Sequence, residues 1–148
     1  MLKLPTKARY AVRLMVELAA HEGEGLVHLA SVAAAQGLSP KYLEQLAIPL
    51  RRAKLVRAVR GSAGGYQLAR PATAISIHEI MQAVDGPVEL VTCVTHPRTC
   101  PRAPACAAHG LWERLTQAVD GVLTGTTLAE LRADQSRVDS LVFGGERA

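Results

Sequence analysis

The 148-residue sequence predicts a mainly α fold with one small β-hairpin, and three observations carry that expectation. Apolar residues recur at helical spacing in several segments, each bounded by a capping residue or by glycine. A single glycine-rich loop is bracketed by two β-prone runs, at residues 55–60 and 66–69. Aromatic residues are limited to Tyr10, Tyr42, Tyr66, Trp112 and Phe143, so the core has to be aliphatic and alanine-rich. That scarcity also argues against single-strand readers, which stack bases on aromatic side chains.

Thr6 can cap a first helix over residues 7–22, where Ala11, Leu14, Met15, Leu18 and Ala19 form an apolar stripe. Gly23 and Gly25 end it. A short alanine-rich helix over residues 29–36 closes at Gly37. Ser39-Pro40 then supplies an N-cap followed by proline at the first helical position, where the missing N–H is not needed. The third helix turns Leu43, Leu46, Ala47 and Leu50 inward, and Pro49 is expected to bend or tighten it by removing a hydrogen bond. Two short helices joined through Gly37-Leu38-Ser39 predict a helix-turn-helix. The hairpin that follows, with Gly61-Ser62-Ala63-Gly64-Gly65 at its tip, makes the unit a winged helix-turn-helix.

Ser76-Ile77-His78-Glu79 fits a capping box and opens a fourth helix that reaches Val84 and stops at Gly86-Pro87. Pro97, Pro101 and Pro104 then predict a loop. Beyond it, Leu111, Trp112, Leu115, Ala118, Val119, Val122 and Leu123 recur as the apolar face of an amphipathic helix. That face is too apolar to meet water, which predicts pairing with a two-fold mate in a homodimer. Thr127-Leu128-Ala129-Glu130 is a second capping box and opens a short last helix. The expected organisation is a winged helix-turn-helix DNA-binding domain at 1–86 and a cluster-binding loop at 87–108. A long dimerisation helix with a short C-terminal helix follows at 109–133, then a flexible tail at 134–148.

The net charge of +4 conceals an uneven distribution. Residues 1–70 hold 11 Lys and Arg against 4 Asp and Glu, whereas residues 71–148 hold 6 against 9. A basic half joined to an acidic half predicts a polyanion partner for the first. Six basic residues and one acid, Glu44, lie between Lys41 and Arg60 inclusive. Lys41, Tyr42, Glu44 and Gln45 fall outside the apolar stripe, near the helix N-terminus that enters the major groove in helix-turn-helix proteins. Gln45 suits adenine and Lys41 suits guanine or phosphate, while Glu44 can accept from cytosine N4 or penalise wrong sites. Arg60, at the start of a glycine-rich tip, suits a narrow minor groove. Each residue alone would be an ordinary solvated side chain; helix order, basic excess and wing together predict a double-stranded DNA partner.

Arg13 and Glu17 interrupt the early apolar segment, and no later run approaches the length of a membrane span. Residues 1–10 lack the apolar core and cleavage site of a secretory signal. The expected setting is cytoplasmic, without a membrane partner. Cys93, Cys100 and Cys106 all fall within 14 positions, an odd count for which a disulfide framework is not expected. The spacing Cys93-x6-Cys100-x5-Cys106-x2-His109 offers three thiolates and an imidazole, a full donor set for Zn²⁺ or an iron–sulfur cluster. Structural zinc sites favour closer cysteine pairs, so gaps of six and five residues favour the larger cluster. His96 competes as a ligand, and His109 could equally be a plain helix residue.

Three segments, read in order, carry a resemblance: Thr6-Lys7-Ala8-Arg9-Tyr10-Ala11-Val12-Arg13, Leu38-Ser39-Pro40-Lys41-Tyr42-Leu43-Glu44-Gln45 and Arg60-Gly61-Ser62-Ala63-Gly64-Gly65-Tyr66. With Ile75-Ser76-Ile77 and the three cysteines, the chain resembles the IscR/NsrR-type winged-helix regulators of bacteria from Leu4 to about Leu131. The resemblance implies a dimeric transcriptional regulator that senses through an iron–sulfur cluster. By similarity to the iron–sulfur biogenesis branch, Cys93, Cys100, Cys106 and His109 would hold a [2Fe–2S] cluster. Some nitric-oxide sensing relatives complete a [4Fe–4S] site with an acid in the first helix; Ala8 stands there, and the first acid is Glu17, which favours [2Fe–2S]. The resemblance also places DNA contacts on Ser39, Lys41, Tyr42, Gln45, Arg60 and Gly61, with Glu44 selecting among operator classes. Lys54 stands where such regulators usually have glycine, which predicts a helix end without the left-handed cap.

The leading expectation is therefore a repressor whose operator binding responds to redox, iron or nitric oxide through a cluster. The alternative is a zinc-stabilised winged-helix module in which the metal is purely structural. An iron–sulfur oxidoreductase is disfavoured, because the sequence has no nucleotide loop and no acid–base pair near the cysteines.

Overall fold

The computed structural model describes residues 3–144. Its helices are α1 (Thr6–Ala20), α2 (Leu29–Gln36), α3 (Pro40–Arg52), α4 (Ile77–Asp85), α5 (Thr92–Thr95), α6 (Ala107–Gly125) and α7 (Leu128–Phe143). The antiparallel hairpin of β1 (Val56–Val59) and β2 (Gly65–Leu68) lies between α3 and α4. The mainly α architecture with a single wing is thus the one the sequence predicts.

The first helix is the centre of the core. It buries Ala8, Ala11, Leu14, Met15, Leu18 and Ala19, and it packs against α3, α4, α7 and β2. Its cap differs from expectation: Pro5 occupies the N-cap in an extended conformation, and Thr6 lies inside the helix, where its hydroxyl accepts from Arg9. Ser39 does cap α3, its Oγ accepting from the Tyr42 N–H at 3.2 Å. Gly37 adopts φ 64°, the left-handed geometry that ends α2 and turns the chain into α3. Helix α3 continues through Pro49 to Arg52, although Pro49 cannot donate to the carbonyl four residues before it.

Lys54 overturns the expectation of a helix end without a left-handed residue: it adopts φ 58°. The Leu55 N–H donates to the Leu50 carbonyl at 3.0 Å, and the Lys54 N–H donates to the Arg51 carbonyl at 3.0 Å. These two bonds are the Schellman pattern, and Leu50 and Leu55, both fully buried, make its apolar contact. Packing and hydrogen bonding therefore force a non-glycine residue into the conformation.

In the wing, Val56 pairs with Leu68 and Val59 with Gly65. Val27 adds an isolated antiparallel bridge to β2, exchanging two 2.8 Å backbone bonds with Tyr66, so the segment before α2 holds the wing against the helices. A side chain on Gly64 would run into the Val59 carbonyl, which is why the tip requires glycine there.

Both capping boxes form, at Ser76/Glu79 and Thr127/Glu130. They face each other across an antiparallel bridge: the Ile77 N–H donates to the Thr126 carbonyl at 3.0 Å, and the Leu128 N–H to the Ile75 carbonyl at 2.8 Å. Leu128 is fully buried, so this pair of caps fastens α7 to the winged half. Burial pushes the Glu79 carboxyl up, but the Ser76 N–H and the Arg70 guanidinium, 2.6 Å away, outweigh it and hold it below the ordinary value.

Two C-terminal elements are more ordered than the sequence suggests. The last helix runs to Phe143 instead of stopping near residue 133; residues 145–148 lie outside the described residues. Asp134 and Gln135 interrupt its apolar pattern, yet Leu128, Leu131 and Val138 keep helical spacing, and Gln135 bonds Asp139 one turn on. The proline-rich segment is a series of turns, α5 and two 3-10 turns at Pro97–Thr99 and Ala103–Ala105, each 3-10 turn with proline in its first two positions.

Candidate functional site

The candidate DNA-reading residues are placed by α1. Arg13 Nε donates to Gln36 Oε1 at 2.8 Å, and its terminal nitrogen donates to the Gln36 carbonyl at 3.1 Å, pinning the end of α2 to α1. Tyr42 meets Tyr10 edge to face, with ring centroids 5.9 Å apart, and Arg13 lies over the Tyr10 ring. Tyr42 is thereby half-buried and fixes the rotation of α3, while its neighbours project outward.

Lys41, Glu44 and Gln45 are exposed on the face opposite the buried Leu43, Leu46, Ala47 and Leu50. Ser39 is exposed at the N-cap, where its oxygen is already accepting one bond. Arg60 and Gly61 are exposed at the wing tip, and Gly61 takes φ 110° to start the turn closed by the Gly64 N–H on its carbonyl. Sequence reasoning missed Ile48, an apolar residue 46 % exposed on the same face as Lys41 and Gln45. The signal was available: Ile48 is apolar yet lies off the inward stripe of its own helix.

The thiols sit on successive turns. Cys93 lies in α5, Cys100 follows the first 3-10 turn, and Cys106 is the N-cap of α6, where its side chain caps nothing. Cys93 and Cys100 are half-buried and Cys106 is exposed; all three are free. His109 sits one turn into α6, its N–H donating to the Cys106 carbonyl at 3.1 Å. Its Nε2 lies 3.3 Å from Glu113 Oε1, and its Nδ1 is buried without a hydrogen-bond partner. The competing His96 is exposed, with Nδ1 3.1 Å from Thr95 Oγ1. Among the described residues, no three His, Cys, Asp or Glu side chains are gathered closely enough to hold a metal ion.

An exposed polar face on the second helix of a helix-turn-helix, beside a basic wing, defines a winged-helix DNA-binding protein. The chain belongs to the Rrf2 family, described as iron-dependent transcriptional regulators, whose model matches residues 4–134. It is 40% identical over 134 residues to the transcriptional regulator IscR of Serratia proteamaculans, covering 90% of this chain and 81% of that protein. Among solved structures, it resembles CymR, the global cysteine regulator of B. subtilis, with a TM-score of 0.75 at 40% identity, covering 90% of this chain and 98% of that one. T. potens IscR gives a TM-score of 0.74 at 38% identity, over 90% and 88% of the two chains. The protein is thus a helix-turn-helix transcriptional regulator and not an enzyme. Among the described residues, no helix is long and apolar enough to cross a membrane.

Proposed function

We propose that the chain acts in the cytoplasm as a homodimeric repressor whose operator binding follows an iron–sulfur cluster held by Cys93, Cys100, Cys106 and His109. The observation that carries this reading is His109, whose buried Nδ1 has no partner one turn after the last of three free thiols. A buried ring nitrogen left without a hydrogen bond is costly unless something else occupies its lone pair. Glu113 beside Nε2 favours the tautomer that leaves Nδ1 unprotonated, the form a ligand requires. By the chemistry of its donors, three thiolates and an imidazole, the set suits a [2Fe–2S] cluster better than [4Fe–4S], since Ala8 supplies no acidic ligand, and binding would have to draw the four side chains together. Bound there, an iron–sulfur cluster would supply one-electron chemistry and reactivity toward oxidants.

The chain's own part is mechanical. The cysteine turns join α4, which packs on α1 and α3, to α6, and α5 packs on α6 as well. His78 Nδ1 lies 2.6 Å from Asp120 Oδ1, a second tie between α4 and α6. Holding the four donors together fixes α6 against the winged half. The sixth helix buries no residue, and it leaves Leu111 and Val122 48 % and 67 % exposed, the face that a second copy covers. Two recognition helices then address half-sites about one helical turn apart through Ser39, Lys41, Tyr42, Glu44, Gln45, Arg60 and Gly61.

Anaerobic purification followed by iron and sulfide counts and an absorbance spectrum tests the cluster. Equal iron and sulfide with visible absorbance is expected; a colourless chain holding one zinc overturns it. If Cys93→Ala, Cys100→Ala and Cys106→Ala leave operator affinity and selectivity unchanged, the sensing role fails.

A further inference from the structure

The outward face of α3 carries one large apolar residue. A helix advances 100° per residue, so Lys41, Gln45, Ile48 and Arg52, spaced i, i+4, i+7 and i+11, form one line opposite the buried stripe. Ile48 is 46 % exposed in the middle of that line. It also borders a groove of about 470 Å³, shared with Arg51, Arg52, Val56, Arg57 and Ala58. Among the described residues, none of these three arginines has a side-chain hydrogen bond or an ion pair within the chain.

We propose that Ile48 reads the C5-methyl group of a thymine in the major groove, with Arg52 on the phosphate beyond it. Length decides which residue does which. At about 1.5 Å per residue, Ile48 lies about 10 Å along the helix axis from Lys41, and Arg52 about 16 Å. The major groove is about 12 Å wide, so Ile48 stays within it and Arg52 reaches its rim. Thymine is the base that presents an apolar group there, and contact with it removes methyl and isoleucine surface from water together. Collinearity with Lys41 and Gln45 favours duplex DNA over an acidic protein segment, which the arginines alone would also suit. The assignment adds a specificity position that Gln45 and Glu44 do not supply.

The test uses the full chain and a duplex selected from a random pool, with each thymine replaced in turn by deoxyuridine, which lacks only the methyl. Wild-type protein is expected to lose about fourfold in affinity at one thymine per half-site, the worth of one buried methyl group. Ile48→Ala should show the same loss on thymine DNA and none further on deoxyuridine DNA, whereas Ile48→Val keeps most of the dependence. The residue is exposed, so an unchanged thermal midpoint for the variants is expected and checks folding. Equal responses of wild type and Ile48→Ala to every deoxyuridine overturn the assignment and leave the groove to an acidic protein partner. Arg52→Ala should reduce the salt slope of binding by about one without changing the selected sequence; a changed sequence with an unchanged slope would put Arg52 on a base and overturn its phosphate role.

Discussion

The two halves of the chain reach completion differently. From α1 to α4 each helix and strand contributes to one core, in which Leu14, Leu43, Leu50, Ile75 and Ile80 are essentially inaccessible. The long helix α6 is almost as regular, yet it buries nothing and keeps Leu111, Trp112 and Val122 at the surface. The first half completes its core with Leu128 of α7, while the second leaves an apolar face exposed. Regularity of a helix and burial of its face are thus separate properties, and only the second depends on what packs against it.

Substitution of an equally apolar residue in each half breaks the comparison most sharply. Leu43→Ala empties a fully buried site and should lower unfolding free energy by about 3–5 kcal/mol in urea titration. Val122→Asp should leave the helical content intact and convert the dimer to monomer in sedimentation equilibrium, with operator affinity falling accordingly. If Val122→Asp stays dimeric, α6 is not the interface. Within the DNA-reading half, Gln45→Ala and Arg60→Ala should each weaken operator binding by about 1–3 kcal/mol while leaving the unfolding midpoint within error, since both side chains are exposed.

How far each half could be read from sequence follows the same division. The winged half was legible because its signals are local: Ser39 before Pro40, Gly37 between two helices, a capping box at Ser76, glycines at the wing tip. The cap at Thr6 was misplaced by one residue because proline, lacking an N–H, can also begin a helix. Lys54 was read as a departure because its conformation is imposed by the buried Leu50 and Leu55 and not by its own preference. The length of α7 was hidden because beyond Leu128 it buries nothing, so no continuous stripe announces it. Cys93, Cys100, Cys106 and His109 form a donor set in the sequence alone; their placement on separate turns was not legible, since the segment's prolines signal breaks without saying what lies between them.

The junction between the halves predicts a smaller, pH-dependent effect. Thr127→Ala removes the cap that bridges α7 to α4 and should cost about 1 kcal/mol. Backbone and hydroxyl bonds from Thr127 hold the Glu130 carboxyl below its ordinary value. For Glu79, the Ser76 N–H and Arg70 do the same against the upward push of burial. A carboxyl lowered on folding adds stability above its unfolded value and loses it as pH falls through the folded one. The wild-type midpoint should therefore drop on acidification into and below the ordinary glutamate range by more than that of the Glu79→Gln variant; equal drops would show that the junction is not what acid weakens.

The smallest effect concerns a single dihedral. Lys54 holds φ 58°, a region that penalises a side chain by about 1–2 kcal/mol. Glycine would remove that penalty but would enlarge the unfolded ensemble by about 0.4–1 kcal/mol. It would also delete a cation near the C-terminus of α3, where the dipole makes it worth a few tenths of a kcal/mol. The sum leaves Lys54→Gly more stable by about 0.5 kcal/mol, close to the limit of a denaturant titration. Lys54→Ala separates the contributions, because it keeps the Cβ and loses the charge, and should be slightly destabilising at low salt. A Gly variant more stable than the Ala variant identifies the strain as steric, whereas a deficit of Lys54→Ala against wild type that closes with salt assigns that part to charge.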